Sequence, residues 1–301
     1  MPHPKVTVVI TCYNLGQYLK DAVDSVEATG YADYELIIVD DGSTDEASRK
    51  LAEDYKSKGY HVILQVNMGV AHARNNAIKL AKGEYYIPLD ADNKVLKPYF
   101  FQGVELLDQN PELDVIHGDA LIIGEKSGTW ENHPMQLDEM LFENYIDTCA
   151  LIRKSLWEKV GGYDYKTPVN TRQDWIFWLD CIDKGAGFHH LKAFCFEYRF
   201  LDTSEVRKYF RQLKKRLAIT EYIYKKQEKL ITRFSEEKKL DVKKGEELLG
   251  KLRMQLAYYH LGFGSIAMGY QYLFGSRVGK PGLGKLLKTG LGWPLRRWGR
   301  G

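Results

Sequence analysis

Tyr85-Tyr86-Ile87-Pro88-Leu89-Asp90-Ala91-Asp92 decides how this chain is read: five apolar residues run into two carboxylates one residue apart. An apolar run of that length predicts a buried strand. Side chains at i and i+2 of an extended or turning backbone point to the same side, so Asp90 and Asp92 are aimed at one place. That arrangement suits a divalent cation that keeps open positions for phosphate oxygens. An Asp-x-Asp triplet also arises by chance in a chain with 40 acidic residues, so its neighbours decide its meaning.

Working outward, Val6 to Ile10 is a short β-branched run that passes through Thr11-Cys12-Tyr13-Asn14 into an amphipathic stretch from Gln17 to Ala28. Leu36 to Val39 ends in Asp40-Asp41-Gly42-Ser43-Thr44-Asp45, and Glu46 to Lys58 has helical composition behind a Ser or Asp N-cap. His61 to Leu64 is a third strand, and Asn67 to Ala77 leads into a helix that closes near Gly83. Strands alternating with helices of this length predict a Rossmann-like, mainly parallel sheet flanked by helices. Ligands bind such sheets beyond the carboxyl ends of the strands, where the polar clusters at 11–14, 40–45 and 90–93 all fall.

These pieces, with Gly69, Ala73-Arg74-Asn75, Val160-Gly161-Gly162-Tyr163-Asp164 and Gln173-Asp174-Trp175, resemble an inverting family 2 glycosyltransferase of the GT-A fold from about Lys5 to Ser204. The resemblance implies a catalytic domain over 1–204, with a nucleotide-binding half to about 93 and an acceptor-binding half from 94. It implies a nucleotide-diphospho-sugar donor, a Mn²⁺ or Mg²⁺ ion at Asp90 and Asp92, and Asp174 as the catalytic base. The donor site would draw on Thr11, Tyr13, Asn14, Asp40, Asp41, Asn67, Gly69, Arg74, Asp90, Ala91, Asp92 and Arg199.

Uracil presents an N3–H between two carbonyls, so Asp40 or Asp41 can accept that proton and favour a UDP-sugar. The other aspartate of that pair is free to cap the following helix. Tyr13 offers a ring face to the base, and Arg74 can hold Asp90 or the donor sugar. In the family the second aspartate of the pair, here Asp92, binds the ion more directly, and a metal bridging two phosphates acts as a Lewis acid on the leaving group. Inversion requires a base for the acceptor hydroxyl, and with no evident enzymic nucleophile a single displacement is the simplest course. Gln173 stands where relatives carry Glu. Tyr198-Arg199 is followed by Phe200 to Ser204 without the histidine many relatives place there, which leaves Arg199 for the diphosphate and Asp202 as a substitute ligand. The Gly161-Gly162 turn reads as an acceptor-side loop, and Trp130, His133, Asn144, Tyr145 and Asp147 as its surroundings. Neighbouring strand residues face opposite ways, which argues against His189-His190 as a metal pair.

Composition narrows the classes. A chain of 301 residues, 44% hydrophobic and 28% charged, has material for a globular protein of one large or two small domains. Its 4 cysteines are scattered without C-x-x-C spacing, which speaks against a zinc site or disulfide scaffold and for a reducing cytoplasm. No signal peptide or membrane-spanning run is expected. The stretch 205–301 reads as a helical extension, with Leu252 to Phe274 apolar and broken by glycines. Its end, 275–301, bears seven basic and no acidic residues among leucines and tryptophans, an amphipathic tail suited to an anionic membrane surface at the inner face. Nucleic acid is not expected without a binding module. A sugar nucleotidyltransferase or nicotinamide dehydrogenase would need a Gly-x-Gly loop after the first strand, and Thr11 to Gly16 lacks one. The reading is a transferase of a hexosyl or N-acetylhexosaminyl group to a glycan or lipid-linked acceptor in polysaccharide assembly, with a non-catalytic sugar-nucleotide-binding scaffold as the alternative.

Overall fold

The computed structural model describes residues 3–201 and 212–262. The readings placed on Asp202 and on the basic tail lie outside them. The chain divides into two compact units, with the division between Glu205 and Val206.

In the first unit, β1 (Val6–Cys12), β2 (Tyr34–Asp40), β3 (His61–Leu64) and β4 (Tyr85–Asp90) form the parallel half of the sheet. Helices α1 (Gly16–Glu27), α2 (Glu46–Ser57) and α3 (Val70–Leu80) connect them. β1 is buried along its whole length, as befits a central strand covered on both faces. A π-helical turn, Tyr99–Gly103, runs into α4 (Val104–Gln109) after the two-residue β5 (Lys94–Val95). The other half holds β6 (Val115–Gly124), β7 (Gly128–Trp130), β8 (Leu151–Arg153) and β9 (Phe188–Phe200). Interleaved with them are α5 (Leu137–Met140), α6 (Lys154–Val160) and α7 (Gln173–Asp183). The order is β3-β2-β1-β4-β8-β6-β9-β5, with β8 antiparallel to both β4 and β6, so the sheet is mixed.

Pro88 shows how the sheet opens. The Tyr85 and Ala91 amides donate toward β1, to Lys5 O at 3.0 Å and Thr11 O at 3.1 Å. By alternation, residue 88 would point its amide the other way, where pairing with β8 has already ended at Tyr86. A proline, which has no N–H, is therefore tolerated in a strand that is otherwise central. The carboxyl end of β4 is left with a neighbour on one side only, and the Asp90 and Asp92 loop emerges there.

Among its described residues the second unit holds two helices, α8 (Leu213–Glu236) and α9 (Val242–Gly262), packed through Ile223, Leu230 and Phe234 on one and Leu248, Leu252 and Leu256 on the other. The change of composition at Leu252 is not a structural boundary. The turn falls at 237–241, where Lys238 takes a positive φ of 57°, and α9 runs through Leu252 without a break.

Candidate active site

At the end of β4, Asp90 is held on two sides. Arg74 Nη2 lies 2.6 Å from its Oδ1, and Thr11 Oγ1 donates to the same oxygen at 3.3 Å. The Arg74 guanidinium is buried, lies over the Tyr163 ring at 5.5 Å, and so reaches Asp90 rather than solvent. Tyr163 in turn stacks on Phe177 of α7 at 4.3 Å. Asp92, half-buried, has no such partner among the described residues, and burial, followed by the Asp90 charge, pushes it up to about 7.

Arg199 has partners other than phosphate oxygens. Its Nε donates to Asp92 O at 2.9 Å, its Nη2 meets Asp21 at 3.1 Å, and its plane covers the Tyr18 ring at 4.6 Å. Its backbone amide donates to Asn93 Oδ1 at 2.8 Å. These contacts fasten β9 to the loop bearing Asp92. The partner Asp21 stands 178 residues away in the chain, a pairing that sequence alone does not reveal.

The loops after β1 and β2 fold on each other. Asn14, at φ 55°, accepts from the amides of Thr44 at 2.7 Å and Asp45 at 3.2 Å, and its own amide donates to Ser43 Oγ at 3.0 Å. Asn14 is thus a clamp between the two loops. Asp41 accepts from Gln65 Nε2 and from the backbone of Met68 and Gly69, at 2.7, 2.9 and 2.9 Å, and so pins the loop that carries exposed Asn67. Asp40 takes the Ser43 hydroxyl and amide on Oδ1 alone. The cap of α2 belongs to Asp45, which accepts from Ser48 N at 2.7 Å, and not to either member of the Asp40-Asp41 pair. Of that pair, Asp40 therefore has the spare acceptor oxygen a base would need. Tyr13 is 41% exposed and presents its ring at the rim.

On the opposite wall, Asp174 lies in the first turn of α7, and the N-cap position belongs to Arg172, so Asp174 is not used as a cap. Asn144 Nδ2 donates to Asp174 Oδ2 at 2.7 Å. Burial raises the Asp174 carboxyl, against the pull of the Trp175 amide and of Arg74 and Arg172. Asp147 follows on the same loop as Asn144, and burial, with Asp90 and Asp174 nearby, lifts it to about 7. Tyr198 ties the walls together: burial raises its phenol, and Asp147, Asp92, Asp90 and Asp174 all push it further. Contacts link the two sides as well: Arg74, paired with Asp90, lies over Tyr163, which stacks on Phe177 of the helix that carries Asp174. Trp130 meets Tyr198 edge-on at 5.8 Å, whereas His133 stacks on Tyr145 at 4.4 Å and the pair braces its own loop.

Two features went unread in the sequence. Asn75 donates to Tyr163 O at 2.7 Å and accepts from Tyr163 N at 2.8 Å and Trp157 Nε1 at 3.1 Å. The Gly161-Gly162 turn is therefore fastened to α3, with Gly162 at φ 84° and its missing Cβ in the space that Asn75 Oδ1 takes. His190 bonds Asp119 at 2.8 Å and stacks on buried His117 at 5.2 Å.

No set of three metal-ligating side chains occurs among the described residues. Asp92, raised by burial and by its neighbour, and Asp90, half engaged by Arg74, fit a cation whose remaining ligands come from a diphosphate and water rather than an all-protein cage.

Residues 7–161 match glycosyl transferase family 2. TuaG of Bacillus subtilis, a glycosyltransferase provisionally assigned to teichuronic acid biosynthesis, is 30% identical over 235 residues, which cover 75% of this chain and 90% of TuaG. The teichoic acid poly(glycerol phosphate) polymerase of Staphylococcus epidermidis is 36% identical over 211 residues, 65% of this chain and 28% of that protein. Among solved structures, S. aureus TarS 1–349 aligns at TM-score 0.59 and 15% identity over 91% of this chain and 93% of its own. The same protein in complex with UDP-GlcNAc aligns at TM-score 0.60 and 14% identity, covering 89% of each chain. The chain belongs to glycosyltransferase family 2 and carries the GT-A fold.

Proposed function

We propose that the enzyme moves a hexosyl or N-acetylhexosaminyl group from a UDP-sugar to a hydroxyl of a glycan or lipid-linked acceptor, with inversion, in one displacement. The observation that carries this reading is the run of contacts from Asp90 through Arg74 and Tyr163 to Phe177 on α7, the helix whose Asp174 is held by Asn144. Asp40, with its unused oxygen, takes the uracil N3–H, and Tyr13 covers the base. Mn²⁺ or Mg²⁺, when bound at Asp92 and Asp90, supplies positive charge for the leaving diphosphate. Arg74 fixes Asp90 in direction, so the carboxylate is set before donor arrives. Asp174 accepts the proton of the acceptor hydroxyl as its oxygen attacks the anomeric carbon; the raised carboxyl makes Asp174 a stronger base while Asn144 keeps it aimed. The TarS complex with UDP-GlcNAc supports a UDP-sugar as donor. The relatives' names support an acceptor in surface polysaccharide assembly, and the basic tail 275–301 supports a place at the inner face of an anionic membrane.

The test is a panel of sugar nucleotides with Mn²⁺, read by UDP release and by the mass and anomeric configuration of the product. Metal-dependent transfer with inverted configuration is the expected result. Retained configuration overturns the single displacement. UDP binding without turnover on any donor would leave a sugar-nucleotide-binding scaffold in place of the enzyme.

A further inference from the structure

Asp147 is a carboxylate that the displacement outlined above does not use. It lies on the loop between α5 and β8, three residues beyond Asn144, whose amide holds Asp174. Asp147 Oδ1 accepts the Cys149 amide at 2.8 Å in a local turn. Oδ2 takes no hydrogen bond from the described residues and is not sealed from solvent. The loop is fastened to the helix of Asp174 on the near side of Asp147, by Asn144 and by Trp178, whose Nε1 donates to Ile146 O at 3.1 Å. The turn needs one acceptor oxygen, which asparagine supplies equally well. The turn therefore does not account for a negative charge kept beside two others, an arrangement that disfavours ionisation of all three.

A hydroxyl attacking the anomeric carbon is held by one contact to its base, about which the rest of the acceptor can still swing. A second contact to a neighbouring group removes that freedom and sets the direction of attack. We propose that Asp147 is an acceptor-binding, specificity-determining residue: through Oδ2 it accepts a hydrogen bond from the hydroxyl adjacent to the one that Asp174 deprotonates. The site then selects a sugar or alditol with neighbouring free hydroxyls. An acceptor bearing a phosphate on that neighbouring carbon meets a carboxylate and is rejected. The inference rests on the glycosyltransferase reading with Asp174 as base.

The experiment uses the full chain on an array of immobilised glycans and alditols in the presence of UDP and Mn²⁺, which reads acceptor retention without turnover. Wild type is expected to retain members with adjacent hydroxyls. Asp147→Asn preserves the turn and should retain them at least about tenfold less well, while UDP affinity by calorimetry changes by less than about fivefold. A monodeoxy analogue of a retained glycan, lacking the neighbouring hydroxyl, should bind wild type at least about tenfold more weakly. Equal retention by D147N and wild type, equal binding of the deoxy analogue, or a wild type that binds UDP but retains nothing each overturns the assignment of Asp147. A wild type that fails to bind UDP overturns the underlying functional reading instead.

Discussion

On the side proposed for the donor, Asp41 answers three N–H groups, Asn14 grips the neighbouring loop through its side-chain oxygen and its backbone amide, and Asp90 is clasped by Arg74 and Thr11. On the acceptor side Asp174 has Asn144, Asp147 has one amide, and burial raises both carboxyls. The donor wall is built by partners that satisfy one another. The acceptor wall holds carboxylates in partial want of them, which is where a substrate hydroxyl can be bound and deprotonated.

The comparison breaks first at Asp174. Asp174→Asn should lower kcat by about 10³-fold or more while leaving UDP affinity nearly unchanged, because a lost general base removes transition-state and not donor binding; transfer at the normal rate would return Asp174 to a structural role. On the donor wall, Arg74→Met should cost about 3 kcal/mol in urea unfolding, since it strips a buried cation from Asp90 and from the Tyr163 face. A neutral result would mean that the wall does not depend on that pairing. Asn144→Leu should slow transfer about tenfold and move the acid limb of the pH-rate profile to higher pH. Its amide favours the ionised carboxylate, and without it Asp174 protonates more readily. Asp41→Asn should weaken UDP binding about tenfold by releasing the 65–69 loop, as read by calorimetry.

The smallest effect concerns stability. Asp147 titrates at about 7 in the folded chain against an ordinary 3.8, so the native state holds its proton more tightly than the unfolded chain. The stability that follows is complete below about pH 4 and is lost as pH rises through 7. Asp147→Asn removes that loss, and Tm at pH 8 without ligands should rise by roughly 2–4 °C, with no gain near pH 4.

Much of the donor wall was legible because its strands are β-branched runs and its helices amphipathic. β3 fell on His61 to Leu64, and β1, β2 and β4 ran only one or two residues beyond their apolar cores. The acceptor wall was harder to read for physical reasons. β6 passes through His117, Gly118 and Asp119 and shifts register against β9 at that place, so neither strand shows a clean alternation. β8 has 3 residues and α5 has 4, too few for a periodic signal. Asp174 was proposed from the resemblance, whereas its support from Asn144 crosses 30 residues and left no mark in the sequence pattern. For Arg199 the charge could be read but its protein partners could not, because Asp21 and the Asp92 carbonyl lie far from it in the chain.

The grip of Asn75 on Tyr163 joins points 88 residues apart, one next to Arg74 and the other shortly before the helix of Asp174. Whatever lies between them is anchored at both ends by a single asparagine. That segment carries Asp90, Asp92 and Asn144, so loosening this one asparagine would release at once the loop that Arg74 clasps and the amide that steadies Asp174.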